Sequence, residues 1–263
     1  MPYFDSNGLA IYYEGAEHPG APWLVFSNSL GADLSMWEPQ LSVFSHHFNV
    51  LRYDNRGHGG SSAPEGPYTI AQLAQDVLGL CDHIGADRFH FCGLSMGGAV
   101  GQWLGVHEPD RVDRLVLCNT SPKFASRQAW TDRIATVESD GLDAIVDAVI
   151  SRWFRPAFAQ EHPEAVSRFR AVFLATPRAG YVASCAVLRD FDFRNLATKI
   201  LTPTLVVCGT DDPVTTVQDG QILVDSIEKA QMLQLDSAHL SNVEAADTFN
   251  RGVLHFLQGG ASE

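Results

Sequence analysis

The six residues Gly93-Leu94-Ser95-Met96-Gly97-Gly98 decide how this chain is read. A glycine two positions before the serine and another two positions after it is the spacing of a nucleophile elbow. There a sharp turn between a strand and a helix lifts the serine hydroxyl clear of the backbone. Glycine is needed on both sides because a Cβ would strike the adjoining strand and helix. A flexible loop could supply the same letters, so the flanks matter. Phe89-His90-Phe91-Cys92 is a short, mostly apolar run suited to a buried strand, and Ala99-Val100-Gly101-Gln102-Trp103-Leu104 suits a helix. Strand, turn and helix together make the context the motif requires.

Working outward, Tyr3-Phe4-Asp5 and Leu9-Ala10-Ile11-Tyr12-Tyr13 read as a hairpin around an Asn7-Gly8 turn. Trp23-Leu24-Val25-Phe26 and Phe48–Tyr53 read as further strands, the first running into the polar turn Ser27-Asn28-Ser29-Leu30-Gly31. Thr69-Ile70-Ala71-Gln72 is a capping box, followed by Ile70, Leu73, Val77, Leu80 and Ile84 at helical spacing. Beyond the elbow come strands at Val112–Cys118, Thr204–Cys208 and Gln231–Leu235. A helical pattern covers Ile222–Ile227, and a last amphipathic helix runs through Val243, Ala246, Phe249, Val253 and Leu257. Alternating strands and helices imply an α/β fold with a mostly parallel sheet covered on both faces. Between Ser121 and Thr198 the alternation stops, and the stretch reads as several inserted helices. The expected organisation is therefore a core of residues 1–120 and 200–263 with a helical cap at 121–199, ending in a frayed tail from Gly259.

Composition narrows the partners. A hydrophobic share of 45% with a mean hydropathy of -0.04 is that of an ordinary globular protein. No apolar run is long enough to span a bilayer, and Met1-Pro2-Tyr3-Phe4-Asp5 does not resemble a signal peptide. Five cysteines without C-x-x-C spacing read as reduced thiols in a cytoplasmic protein. A net charge of -13 argues against nucleic acid or an anionic membrane as partner. A homo-oligomer is compatible with this composition. The charge is uneven: residues 121–199 hold 11 of the 18 Lys+Arg and 9 of the 31 Asp+Glu, a balance of +2 that leaves -15 for the remainder.

A serine hydroxyl needs a base to take its proton and an acid to orient that base. In an elbow fold the order along the chain is nucleophile, acid, histidine. His255 falls inside the last helical pattern, whereas His239 follows a strand in the loop Asp236–Asn242, so His239 is the base. Asp211 and Asp212 follow the strand ending at Cys208; one should face the histidine and the other solvent, and spacing does not separate them. Cys118-Asn119-Thr120-Ser121-Pro122 offers no carboxylate as a competitor. Oxyanion donors are expected from the backbone of Met96 and from the turn near Ser29 or Leu30.

These residues resemble an α/β-hydrolase, and most closely the 3-oxoadipate enol-lactonases of bacterial aromatic-compound degradation. The resemblance rests on Ser27–Gly31 with Met36–Gln40, on Tyr53–Gly59, on Gly93–Gly98, on Gly209–Val214 and on His239–Asn242. Generic members of the fold carry His-Gly where this chain has Asn28-Ser29, a departure that the enol-lactonases share. The resemblance implies Asp212 as the acid and Leu30 as the second oxyanion donor. It makes Arg56-Gly57-His58-Gly59 an architectural turn. It also implies opening of 3-oxoadipate enol-lactone to 3-oxoadipate by Ser95, Asp212 and His239, with no metal or organic cofactor. The substrate is a small anionic lactone, and Arg127, Arg133, Arg152 and Arg155 are the cap residues proposed to bind its carboxylate. A carboxylesterase or a carbon–carbon bond hydrolase is the competing reading, and a silent ligand receptor a more distant one. Ser95 disfavours a haloalkane dehalogenase, which needs a carboxylate nucleophile.

Overall fold

The computed structural model describes residues 2–6 and 8–260, so Asn7 of the expected hairpin turn and the tail residues Ala261-Ser262-Glu263 lie outside the described residues. The strands are β1 (Tyr3–Ser6), β2 (Leu9–Ala16), β3 (Trp23–Ser27), β4 (Asn49–Tyr53), β5 (Phe89–Leu94), β6 (Val112–Cys118), β7 (Thr204–Gly209) and β8 (Ala230–Leu235). They form one sheet in the order β1-β2-β4-β3-β5-β6-β7-β8. The β1–β2 and β2–β4 pairs are antiparallel and every other pair is parallel. Strands β4, β5 and β7 are buried at every position, which explains why they read as continuous rather than alternating apolar runs.

The covering helices begin with α1 (Glu38–Phe44), α2 (Ile70–His83) and α3 (Met96–His107). Thr69 and Gln72 close α2 with the reciprocal bonds of a capping box, as the sequence predicts. Between β6 and β7 five helices are inserted: α4 (Arg127–Asp140), α5 (Val146–Trp153), α6 (Pro156–Glu161), α7 (Pro163–Ala175) and α8 (Arg178–Asp190). Pro156 and Pro163 open α6 and α7 where the missing N–H costs nothing. After α9 (Val217–Ser226) the expected last helix is divided into α10 (Ser241–Glu244) and α11 (Ala246–Leu257). The division falls at Ala245, whose φ of -119° and ψ of 41° are not helical, so Val243 does not share the α11 stripe.

All five cysteines are buried free thiols. Among the described residues no single helix is long and apolar enough to cross a membrane.

Candidate active site

The elbow is built from missing Cβ atoms. A Cβ on Gly93 would stand 2.2 Å from Gly97 O, one on Gly97 would stand 2.2 Å from Ser27 O, and one on Gly98 would stand 2.6 Å from Thr120 Cβ. The turn from β5 into α3 therefore packs directly on β3 and on the loop after β6. Ser95 takes a φ of 58°, a left-handed value that a non-glycine residue holds only when its surroundings compel it. Its N–H donates to Cys118 O at 2.9 Å, its carbonyl accepts from Thr120 Oγ1 at 2.9 Å, and Gly97 N–H donates to Asn28 O at 3.1 Å. The Met96 N–H between them opens α3 and is one of the donors a helix cannot satisfy internally.

Further along the same edge of the sheet, in the loops after β7 and β8, Asp212 and His239 meet through Asp212 Oδ2 and His239 Nδ1 at 2.7 Å, both side chains buried. The same oxygen accepts from Thr215 Oγ1 at 2.8 Å and Asn119 Nδ2 at 3.0 Å, while Oδ1 accepts from the N–H groups of Val214 and Thr215. Burial pushes the Asp212 carboxyl up. The charge of His239 and the hydrogen bonds from His239, Asn119 and Val214 outweigh it and hold the group below the usual carboxylate range. Asp211 points elsewhere: it is half-exposed, with Oδ2 3.5 Å from Arg155. Asn119 is the second non-glycine residue with positive φ, at 43°. It ties the acid to the histidine loop, accepting from Ser241 Oγ at 2.5 Å and donating to Ala238 O at 3.3 Å. Among the described residues no group of three or more His, Cys, Asp or Glu is arranged to hold a metal ion.

Ser95, His239, Ser29 and Leu30 line one cavity. Its remaining walls come largely from the inserted helices: Trp130, Arg133, Val149, Arg152, Trp153, Tyr181 and Leu188. Two of the four arginines expected at the substrate, Arg133 and Arg152, are therefore at the cavity. The other two are not, and each has a reason. Arg127 lies on the exposed flank of α4 and pairs with Asp190. Arg155 caps α6 and lies across Glu244, Asp236 and Asp211 on the outer side of the histidine loop. The completely buried Glu244 carboxylate also accepts the Ala238 N–H at 2.9 Å, so this cluster braces the segment that carries His239.

Most of the other cations of the insertion are paired. Arg168, Arg170, Arg189 and Arg194 all meet carboxylates, and Arg178 donates to Glu138 O. Among the described residues neither Arg133 nor Arg152 has a carboxylate partner. Arg133 instead stacks its guanidinium 5.0 Å from the centre of the Trp130 ring. Trp130 is a site residue that pattern reading missed. It is 7% exposed, and its indole N–H is buried without an acceptor while its ring lines the cavity. Its signal was the i, i+3 spacing to Arg133, which puts both on one face of α4.

The chain belongs to the α/β-hydrolase fold family, whose model matches residues 22–246. Within it, the chain is similar to 3-oxoadipate enol-lactonase 2 of Acinetobacter baylyi, at 41% identity over 94% of this chain and 93% of that protein. It is likewise similar to the crystal structure of the enol-lactonase from Burkholderia xenovorans LB400. That structure has a TM-score of 0.96 and 44% identity, covering 98% of this chain and all of the other. A thermophilic esterase from Thermogutta terrifontis is more distant, at a TM-score of 0.90 and 26% identity over 97% of this chain and 96% of that one.

Proposed function

We propose that this protein is a cytoplasmic serine hydrolase that opens the ring of 3-oxoadipate enol-lactone to give 3-oxoadipate. Ser95 attacks the lactone carbonyl while His239 takes its proton. Asp212 holds the imidazole tautomer that carries the proton on Nδ1 and stabilises the imidazolium that forms. The developing oxyanion is held by the backbone N–H groups of Met96 and Leu30. Collapse expels the ring oxygen as an enolate, which takes the proton from the His239 imidazolium and tautomerises to the ketone of the acyl-enzyme, leaving His239 neutral. Water activated by His239 then releases the second carboxylate. No step calls for a metal or organic cofactor.

The observation that carries the anionic substrate is the pairing pattern of the insertion, residues 121–199, which we read as a cap. Seven of its eleven Lys and Arg meet carboxylates. Arg133 and Arg152 are two of those that do not, and both line the cavity that holds Ser95, as does Trp130, whose N–H has no acceptor. A substrate carboxylate supplies what these donors lack, and the contact gains strength where water is excluded. The relatives named as enol-lactonases support the same assignment.

The test is loss of ring absorbance with enzymatically generated enol-lactone, run beside a neutral p-nitrophenyl ester. The proposal predicts that kcat/KM for the lactone exceeds that for the ester by at least about a hundredfold. Ester turnover without lactone turnover would reassign the protein as a general esterase.

A further inference from the structure

A second polar assembly lies under the turn that carries Leu30, and the chemistry above gives it no task. The loops after β3 and β4 run side by side, joined by four side-chain bonds. Asn28 Nδ2 donates to Tyr53 O at 2.8 Å and Asn55 Nδ2 to Asn28 O at 3.3 Å. Asp54 Oδ1 accepts from Leu34 N–H at 2.7 Å, and His58 Nε2 accepts from Gly31 N–H at 3.0 Å. Three of these hold the ends of the turn. The peptide that carries the Leu30 N–H is held through Ser29 O by Ala32 N–H at 3.2 Å, and the His58 bond falls on the next one, which joins Leu30 to Gly31.

That bond requires one protonation state. His58 is fully buried, and its Nδ1 stands 3.2 Å from Arg56 O. Nδ1 therefore donates, and Nε2 keeps the lone pair that Gly31 N–H needs. An imidazolium has no such lone pair. Burial lowers the His58 pKa to about 4, against the opposing effects of the Arg56 carbonyl and the Asp33 charge, so the ring is neutral at physiological pH. The peptide is confined from above as well. Gly31 has a φ of 79°, and a Cβ on it would stand 2.6 Å from the Phe173 ring. A Cβ on Gly57 would stand 2.6 Å from Gly180 Cα, so the His58 turn sits directly against α8, the helix that brings Tyr181 and Leu188 to the cavity.

We propose that His58 is a positioning residue for the oxyanion: by accepting the Gly31 N–H it sets the turn so that the Leu30 N–H points at the reacting carbonyl oxygen. This refines the architectural role that the resemblance assigns to the Arg56–Gly59 turn. It rests on the serine-hydrolase reading above, in which Leu30 is an oxyanion donor. A donor that is misaimed stabilises the transition state less while leaving the ground state bound as before, so the loss falls on kcat.

The test compares His58→Leu, His58→Asn and His58→Gln on p-nitrophenyl acetate, together with inhibition by a trifluoromethyl ketone that forms a tetrahedral adduct with Ser95. Leucine offers no acceptor and asparagine is too short to reach Gly31, whereas the glutamine amide oxygen reaches the position of Nε2. His58→Leu and His58→Asn are expected to lose at least tenfold in kcat with KM within twofold, and to bind the ketone weaker by the same factor. His58→Gln is expected to stay within threefold of wild type in both. His58→Asn carries the comparison should the leucine variant fail to fold. Retention of kcat within twofold by the folded variants, a loss confined to KM, or a glutamine variant as damaged as asparagine would overturn the proposal. The ester forms the same oxyanion as the lactone, so the outcome does not depend on the lactone assignment. Ser95→Ala assayed alongside separates the two readings: ester turnover that survives Ser95→Ala removes the serine-hydrolase reading itself, and turnover abolished there but untouched at His58 rejects only the positioning role.

Discussion

The network around Asp212 and the cavity wall built by the insertion treat their polar groups in opposite ways. In the core, Asp212 accepts from four protein donors besides His239, and Asn119 bonds through both ends of its amide. Both of these side chains are satisfied within the fold. In the insertion, Trp130 is buried with its N–H unsatisfied, and Arg133 and Arg152 face the cavity without a carboxylate. A satisfied network is rigid and holds one geometry, whereas a buried unsatisfied donor costs free energy until a ligand fills it. Under the proposed function, that network serves the chemistry and the cavity wall of the insertion the choice of substrate.

Ways to break that division follow in order of size. Ser95→Ala should lower kcat by at least about 10⁴-fold on lactone and neutral ester alike, measured as steady-state turnover. Asp212→Asn should cost about 10³–10⁴-fold on both, because an amide cannot hold the His239 tautomer. Trp130→Phe, which keeps an aromatic side chain and removes the N–H, should reduce lactone kcat/KM by about tenfold and leave the ester alone. Loss on the ester in that variant would place Trp130 with the chemistry instead.

Arg155 sharpens the division from the other side, since it belongs to the insertion yet braces the core. Removing it strands the buried Glu244 carboxylate, and Arg155→Ala should destabilise the fold by about 2–3 kcal/mol in urea, below the value for a fully buried pair because its side chain is 27% exposed. Its effect on activity should be equal for lactone and ester.

The last effect is a pH dependence of stability. The folded pKa of His58 is about 4 against about 6.5 unfolded, so as pH falls through that window the unfolded chain gains a proton that the folded chain refuses. Stability contributed by neutral His58 is present above pH 6.5 and is lost towards pH 4, by about 3 kcal/mol at most. Asp54 opposes it: burial raises its folded pKa to about 6, so the folded state takes up a proton first and gains stability over the same interval. The difference between wild type and His58→Gln isolates the histidine, and the variant should lose less stability from pH 6.5 to 4.5 in urea titrations.

How much was legible in advance follows from whether a residue's role is fixed locally. Gly93, Ser95 and Gly97 were readable because the elbow's sterics act within five residues and against invariably close strands. His239 was readable because only a loop histidine after the last acid turn fits the order. Asp211 and Asp212 are adjacent, and which one turns inward depends on Thr215, Asn119 and His239, brought together only by the fold. The cap arginines were legible as a charge excess and not as positions. Arg127 and Arg133 are six residues apart on α4, about 240° around the helix, so they cannot share a face. Arg152 and Arg155 are three apart, but α5 ends at Trp153 between them. The break at Ala245 has no marker such as Gly or Pro, which is why α10 and α11 read as one helix.

The most direct test of the central claim is kcat/KM for enol-lactone and for neutral p-nitrophenyl acetate in wild type and in Arg133→Gln/Arg152→Gln. The account predicts that the double variant loses at least about thirtyfold on the lactone, chiefly in KM, and stays within twofold on the ester. Equal loss on both substrates, or none on the lactone, would contradict it.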